Sequence, residues 1–149
     1  MIVADTGAIV ALIDADDQHH LAIRSAYEDS GREWVLPWAI LPEVAHILLR
    51  HVGARAEAAF MRDLAQGSWV IEWGEPADFV RAEQVAARHA ALQLGLVDAV
   101  VIAVAERVDA RAIVTLDLRD FAAVKVRGAP ALWPRDRREA VSLVREGEP

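Results

Sequence analysis

Short apolar runs that lack polar alternation recur along the chain, and segments with helical periodicity separate them. These runs occupy residues 1–5, 33–38, 69–73, 112–116 and 131–133. Runs of this kind are typical of strands that are buried on both faces of a parallel sheet. Their alternation with helices predicts an α/β domain with a mostly parallel sheet of about four to five strands.

The intervening segments predict helices at residues 8–13, about 19–29, 42–51, 54–65 and 76–92, with a further helix that begins near Asp98. Residues 118–121 are not assigned to an element. A chain of 149 residues is long enough to form one domain that buries about two-thirds of its unfolded surface. We predict that residues 1–134 form this domain and that residues 135–149 are its polar C-terminal helix or tail.

Asp98 stands directly before a long apolar run, residues 99–105. In a helix it shares a face with Val101 and Ile102, and this face is expected to point into the protein. A buried carboxylate without a cation or donors costs several kcal/mol, so Asp98 requires a partner. Three other acids occupy comparable positions beside apolar runs: Asp5, Glu43 and Asp117.

The predicted topology brings these four acids to one crevice. Asp5 and Asp117 each follow a strand, whereas Glu43 and Asp98 each lie at the start of a helix, and sites in open parallel sheets form at this edge. Individually, Asp98 could be a helix cap, Asp117 a turn residue and Glu43 an acid that complements a helix dipole. Together, four anions would repel one another, a divalent cation would reverse that repulsion, and oxygen ligands favour Mg²⁺, or Mn²⁺ as the alternative.

At these acids the chain resembles a known family, the PIN-domain ribonucleases, and specifically the VapC toxins of bacterial toxin–antitoxin pairs. The resemblance rests on four segments that span nearly the whole chain: residues 2–8, 41–45, 94–99 and 113–121. It implies a three-layer α/β/α fold and the activity of a Mg²⁺-dependent endoribonuclease. It also implies that the chain forms a homodimer, acts as the toxin of a type II toxin–antitoxin pair and is inhibited by a cognate VapB-type antitoxin.

The resemblance also assigns roles to individual residues. Asp5 and Asp98 are implied as the principal metal ligands, and Glu43 and Asp117 complete the acidic set. In the mechanism we expect, a metal-activated water attacks the phosphodiester, and Glu43 orients that water or a second metal. Thr6 and Thr115 match positions where family members place a hydroxyl that can hold a ligand or water. Asp120 is either a fifth acid of the site or a surface cap. Where many relatives carry a small polar residue, this chain has Gly7.

Charge and composition limit the partners. The net charge of −7 argues against nonspecific nucleic-acid binding by the whole surface. The region from Arg119 onward is net positive, so Arg119, Lys125 and Arg127 are the candidates for RNA contact. An antitoxin could instead bring its own Arg to the carboxylates. The chain has no cysteine and no apolar run long enough to span a bilayer, from which we expect a soluble cytoplasmic protein without membrane contact.

Two other functions remain open at this point. One is an aspartate-based phosphotransfer domain, which also places an Asp at a strand end. The common phosphatase form has a second Asp where this chain has Gly7. The receiver form requires a Lys after a later strand, and the only lysine of this chain is Lys125. A catalytically silent PIN-like module that binds RNA or protein is the other alternative. The five tryptophans are expected to serve packing or a protein interface rather than base stacking.

Overall fold

The computed structural model describes residues 1–138 and contains short strands that alternate with helices. The strands are β1 (Ile2–Ala4), β2 (Trp34–Pro37), β3 (Val70–Glu72), β4 (Ala112–Val114) and β5 (Ala131–Trp133). The helices are α1 (Thr6–Ile13), α2 (His20–Ser30), α3 (Ile40–His51), α4 (Ala54–Ala65), α5 (Pro76–Arg88), α6 (Leu96–Arg107) and α7 (Leu118–Ala123). The α/β fold class is therefore confirmed.

The five strands form one sheet in the order β3-β2-β1-β4-β5, and every neighbouring pair is parallel. From β1 the chain builds outward through β2 to β3, then returns through α5 and α6 to place β4 on the other side of β1. The strand order thus reverses between β1 and β4. In open parallel sheets this reversal opens a crevice at the carboxyl ends of the strands, which is where a site forms.

The core explains why the apolar runs lack alternation. Every residue of β1 and β4 is buried, because helices cover both faces of the sheet. In α6 the whole stretch of residues 99–105 is buried, at 2% exposure or less. A helix that is apolar all round needs cover on all sides, and α6 lies between β1 and β2 on one side and α5 on the other.

Several element boundaries differ from the sequence-based prediction. Helix α1 begins at Thr6 rather than at residue 8, because the Asp5 side chain caps the backbone N–H of Thr6. The helix predicted for residues 76–92 ends at Arg88, and a short 3-10 turn, Ala90–Leu92, follows it. The segment after β4 that was left unassigned forms α7.

Two predictions from the sequence concern the C-terminal segment and the lack of a membrane-spanning helix. The polar C-terminal helix or tail predicted for residues 135–149 lies outside the described residues from residue 139 onward. Within residues 1–138, no helix is both long enough and apolar enough to cross a membrane.

Candidate metal centre

Asp5 lies at the carboxyl end of β1, and two hydrogen-bond donors hold its side chain there. It is the N-cap of α1, and its Oδ1 accepts a hydrogen bond of 2.8 Å from the backbone N–H of Thr6. Its Oδ2 accepts a hydrogen bond of 2.9 Å from the hydroxyl of Thr115. Burial raises the pKa of Asp5 to about 6; the two hydrogen bonds oppose this rise, and the charges of Glu43 and Asp117 add to it.

Thr115 links Asp5 to the second strand end. The register that pairs Ala4 with Val114 brings the next residues, Asp5 and Thr115, side by side. The same hydroxyl that donates to Asp5 accepts a hydrogen bond of 3.0 Å from the backbone N–H of Asp117. Thr115 is fully buried, so its rotamer is fixed by these two contacts and by the surrounding core.

Asp98 occupies the first turn of α6, where a helix dipole ordinarily favours a negative charge. Its pKa is nevertheless raised to about 7, first by burial and then by four negative neighbours. These neighbours, in decreasing order of effect, are Asp5, Asp117, Asp120 and Glu43. Repulsion and burial therefore outweigh the dipole, and near neutral pH this carboxyl carries a proton for part of the time unless a cation compensates for its charge.

Three carboxylates come together most closely. Asp98, Asp117 and Asp120 each offer one oxygen, and these three oxygens lie within 4.8 Å of one another. Ligands of an octahedral Mg²⁺, at 2.0–2.1 Å from the ion, stand about 3 Å apart when adjacent and about 4 Å apart when opposite. The oxygen-only donor set and this spacing fit a hard divalent cation.

Asp120 belongs to this group, which the sequence left undecided. It lies in α7, and its backbone N–H donates a hydrogen bond of 3.3 Å to Asp117 Oδ1. Its pKa is raised, by desolvation and by the charge of Asp117. Its position beside Asp98 and Asp117 makes Asp120 a candidate fifth acid of the site.

Glu43 and Asp5 lie outside that closest group, at different depths. Glu43 is solvent-exposed in the first turn of α3, near enough for its charge to raise the pKa values of Asp5 and Asp98. Asp5 is only 5% exposed. The four predicted acids thus share one crevice, with Asp5 at its floor and Glu43 at its rim.

The hydroxyl of Thr6 is the second hydroxyl that the sequence singled out. It is buried and has no hydrogen-bond partner among residues 1–138. Since buried polar groups are almost always paired, an unpaired hydroxyl beside Asp5 leaves a donor and acceptor for a water or a ligand.

The three basic candidates separate into two locations. Arg119 is exposed on α7, where its charge acts on Asp120 by lowering the pKa of that carboxyl. Lys125 and Arg127 lie beyond the end of α7 and line a different hollow, together with Arg88 and residues of α5. Arg88 carries no signal of this role in the sequence, because no local pattern joins it to the segment after α7.

The sequence also gave no indication of the ion pairs that hold α5 against the C-terminal end of α6. Arg107 contacts Asp78 Oδ1 at 2.8 Å and Glu72 Oε1 at 2.6 Å, and Asp78 is buried. Arg81 makes a bidentate pair with Glu106, at 2.7 and 3.0 Å. One local signal was available for Asp78, which completes a capping box with Glu75 at the start of α5.

Comparisons with known proteins agree with this architecture. The sequence model of the PIN domain matches residues 2–126. Ribonuclease VapC26 of Mycobacterium tuberculosis is 29% identical over 127 residues, which are 85% of this chain and 94% of that protein.

Solved structures share the fold at low sequence identity. Mycobacterium tuberculosis VapC20, described as a sarcin-ricin loop cleaving toxin, superposes with a TM-score of 0.76 at 22% identity, over 86% of this chain and 98% of that one. VapBC2 from Rickettsia felis, bound to a DNA fragment from its promoter, gives a TM-score of 0.67 at 13% identity, over 89% of this chain and 97% of that one. At these identities the structures establish the fold, and they confirm the predicted parallel architecture.

Proposed function

The chain belongs to the PIN-domain family, and we propose that it is a Mg²⁺-dependent endoribonuclease that acts as the toxin of a type II toxin–antitoxin pair. The observation that carries the proposal is the gathering of Asp98, Asp117 and Asp120, whose oxygens lie within 4.8 Å of one another; burial and the neighbouring carboxylates accordingly raise the pKa of Asp98 to about 7. An arrangement of this kind is unfavourable by itself. It becomes favourable when a dication binds, and oxygen-only ligands select Mg²⁺ or Mn²⁺.

In this proposal each acid has a distinct task. Asp98, Asp117 and Asp120 hold the ion from one side, since their oxygens are the closest together. Asp5 supports the site from below, oriented by the hydroxyl of Thr115. Exposed Glu43 faces the solvent from which a water would enter, and it is suited to orient that water. A bound divalent ion would lower the pKa of a coordinated water and neutralise charge that develops on a phosphodiester oxygen.

An RNA substrate must approach a site that is itself negative. The cation reverses part of this charge, and basic side chains near the crevice supply the rest. We assign this role to Arg119, Lys125 and Arg127. In support, Arg119 is exposed on the helix that also carries Asp120, and the other two follow that helix directly.

The partners follow from the relatives. The Rickettsia felis protein was crystallised as the VapBC2 complex, and we propose that this chain likewise binds a cognate VapB-type antitoxin and forms a homodimer. Exposed apolar side chains support a protein partner: Trp73, Phe79 and Leu96 are 73%, 53% and 60% exposed. Trp73 and Phe79 line one hollow, and Leu96 lies two residues before Asp98. Coexpression with the neighbouring reading frame, followed by mass measurement in solution, tests both assignments; a monomer that captures no such partner would contradict them.

The decisive experiment for the activity is an RNA cleavage assay on the purified chain. We expect cleavage with Mg²⁺ or Mn²⁺, none with EDTA, and a loss of at least about 100-fold in Asp98→Asn, because removal of even an outer-shell partner typically costs 10- to 100-fold. Asp16→Asn, at an exposed acid beyond the opposite end of α1 from Asp5, is the matched control and is expected to cut normally.

The same assay separates the two alternatives. A phosphotransfer domain would take up phosphate on Asp5 from a small phosphodonor and leave RNA intact. A silent module would bind RNA and cut it under no metal condition. Either result would refute the ribonuclease proposal.

A further inference from the structure

A cavity of about 520 Å³ lies between α5 and the segment that precedes β5, outside the acidic crevice. Its floor is apolar, formed by Val85, Val124 and Val126. Its charged lining is basic throughout and comprises Arg81, Arg88, His89, Lys125 and Arg127, with no acidic residue among the described lining residues. In a chain of net charge −7, such a concentration of positive charge requires an explanation.

One member of this lining is already neutralised. Arg81 forms its bidentate pair with Glu106, and Glu106 Oε1 also accepts a hydrogen bond of 3.1 Å from the backbone N–H of Arg127. Glu106 therefore fixes the wall of the cavity and cancels the charge of Arg81. The side chains of Arg88, Lys125 and Arg127 make no hydrogen bond or ion pair with any part of the chain that the structure describes.

In the segment before β5, Lys125 and Arg127 alternate with the valines of the cavity floor and therefore lie on the solvent side, at the rim of the cavity. Val124 and Val126 are buried whereas Lys125 and Arg127 are exposed, which is the alternation of an extended segment. A turn then closes with a hydrogen bond of 3.1 Å from the Ala129 N–H to the Val126 carbonyl, and Gly128 within it has φ of +83°. Glycine adopts this left-handed conformation without strain, so the turn at Gly128 fixes the direction in which the chain enters β5.

The cavity lies within reach of the acidic crevice. Lys125 is five residues after Asp120, a separation that cannot exceed about 18 Å even in a fully extended chain. At the spacing of a duplex strand, about 3.4 Å per nucleotide along the helix axis, about five nucleotides cover that distance, and a more extended single strand needs fewer. One RNA strand can therefore occupy the crevice and the cavity together.

We propose that this basic cavity binds backbone phosphates of the RNA strand on one side of the scissile bond, through Arg88, Lys125 and Arg127. The inference rests on the proposed ribonuclease function and specifies where its substrate lies. Phosphates fit because the three cations come from two separate elements and make no ion pair with the two carboxylates beside the cavity, Glu106 and Asp109, and because Arg matches phosphate geometry in pairs of hydrogen bonds. The role is in positioning, since the cavity contains no residue of the acidic crevice.

The test measures RNA binding apart from cleavage, in an Asp98→Asn background. In this background a triple variant, R88Q/K125Q/R127Q, is compared with a control triple of equal charge change at exposed arginines elsewhere, R24Q/R32Q/R62Q. A short fluorescent single-stranded RNA is titrated by anisotropy across a series of salt concentrations. For the cavity triple we expect binding that is weaker by about tenfold or more and a log–log salt slope that is shallower by about 2, because single strands release about 0.7 counterion per contact. The control triple is expected to keep the slope of its parent.

Cleavage by the otherwise unmodified enzyme provides the second arm. The cavity triple is expected to raise KM for a long RNA by a larger factor than it raises KM for a dinucleotide, because a dinucleotide does not reach the cavity.

Equal salt slopes for the two triples would overturn the cavity proposal while the ribonuclease proposal stands. The cavity proposal would also be overturned if the cavity triple weakened binding of an acidic protein partner and did not weaken binding of RNA. Failure of the unmodified chain to cut any RNA would instead refute the ribonuclease function. A charge reversal at one exposed site, Lys125→Glu, keeps the test valid if the triple fails to fold.

Discussion

The Thr115 hydroxyl donates a hydrogen bond of 2.9 Å to Asp5 Oδ2 and thereby joins the carboxyl ends of two neighbouring strands, β4 and β1. The contact lies at the reversal of strand order, where the crevice opens. It stabilises the charged form of Asp5 against the burial that raises the pKa of this carboxyl. Much of the geometry of the acidic crevice therefore depends on one buried hydroxyl.

Replacement of the Thr115 hydroxyl by a methyl group is expected to weaken cation binding without creating a cavity in the core. Thr115→Val keeps the side-chain shape but leaves Asp5 with one donor fewer and the Asp117 N–H without its acceptor. We expect Mn²⁺ affinity to fall about 10- to 100-fold, the range for residues that orient a metal ligand. Thr115→Ser, which restores the hydroxyl, is the control and is expected to retain most of the affinity. Wild-type affinity in the valine variant would exclude this role for Thr115.

The raised pKa values predict how stability depends on pH in the metal-free protein. Asp98 and Asp5 have pKa values of about 7 and about 6 in the folded state, against a model value of 3.8. Between these limits the folded chain binds more protons than the unfolded chain, so its stability is highest below about pH 4 for these groups and falls as pH rises through about 7.

Thermal melts in EDTA from about pH 5 to pH 8 measure this effect. The Asp98→Asn variant removes one titrating group and is expected to show a flatter decline in Tm than wild type, whereas Asp16→Asn is expected to follow wild type. Added Mg²⁺ is expected to restore stability at the alkaline end. Identical curves for the two variants would show that Asp98 is not strained in the folded protein.

Asp120 is expected to act as a ligand rather than as a surface cap. Its oxygen stands within 4.8 Å of those of Asp98 and Asp117, and its charge helps to raise the pKa of Asp98. Asp120→Asn is therefore expected to lower Mn²⁺ affinity by about tenfold or more and to lower the pKa of Asp98, as measured by NMR titration. An unchanged affinity together with an unchanged Asp98 pKa would return Asp120 to the role of a cap before Phe121.

The ion pairs between α5 and α6 are expected to matter for stability. Arg107→Gln leaves buried Asp78 without its guanidinium, and the loss of one partner of a buried pair costs about 3 kcal/mol or more in the free energy of unfolding. Arg24→Gln breaks an exposed pair with Glu28 and is expected to cost no more than about 0.5 kcal/mol. Urea denaturation distinguishes the two, and equal losses would mean that the Arg107 pairs are no stronger than a surface contact.

The sequence was sufficient to predict the edge of the sheet at which the acids gather. Asp5 and Asp117 follow apolar runs that are typical of buried parallel strands, and in a parallel sheet all carboxyl ends meet at one edge. The start of α6 at Leu96 then brings Asp98 to the same edge. These features could be predicted from the sequence because they depend only on local hydrophobic periodicity and on one rule of sheet topology.

Other features depend on contacts between distant parts of the chain. The place of Asp120 depends on α7, whose six residues were too few for a periodic signal. Arg107 meets Glu72 and Asp78 across separations of 35 and 29 residues, which depend on how α5 packs against α6. The basic cavity likewise depends on tertiary packing, which places Arg88 and Lys125 in the lining of one cavity. In the sequence, each of the two segments has only the charge pattern of an ordinary solvent-exposed surface.

Calorimetric titration of the purified chain with Mn²⁺ near pH 7, in buffers of different ionisation enthalpy, tests the central claim most directly. If the gathered carboxylates form a cation site, binding will release protons, because Asp98 is partly protonated at that pH and must lose its proton to become a ligand. Both the binding and the proton release are expected to disappear in Asp98→Asn and to persist in Asp16→Asn. Binding without proton release, or equal binding by both variants, would contradict the assignment of these acids as a metal centre.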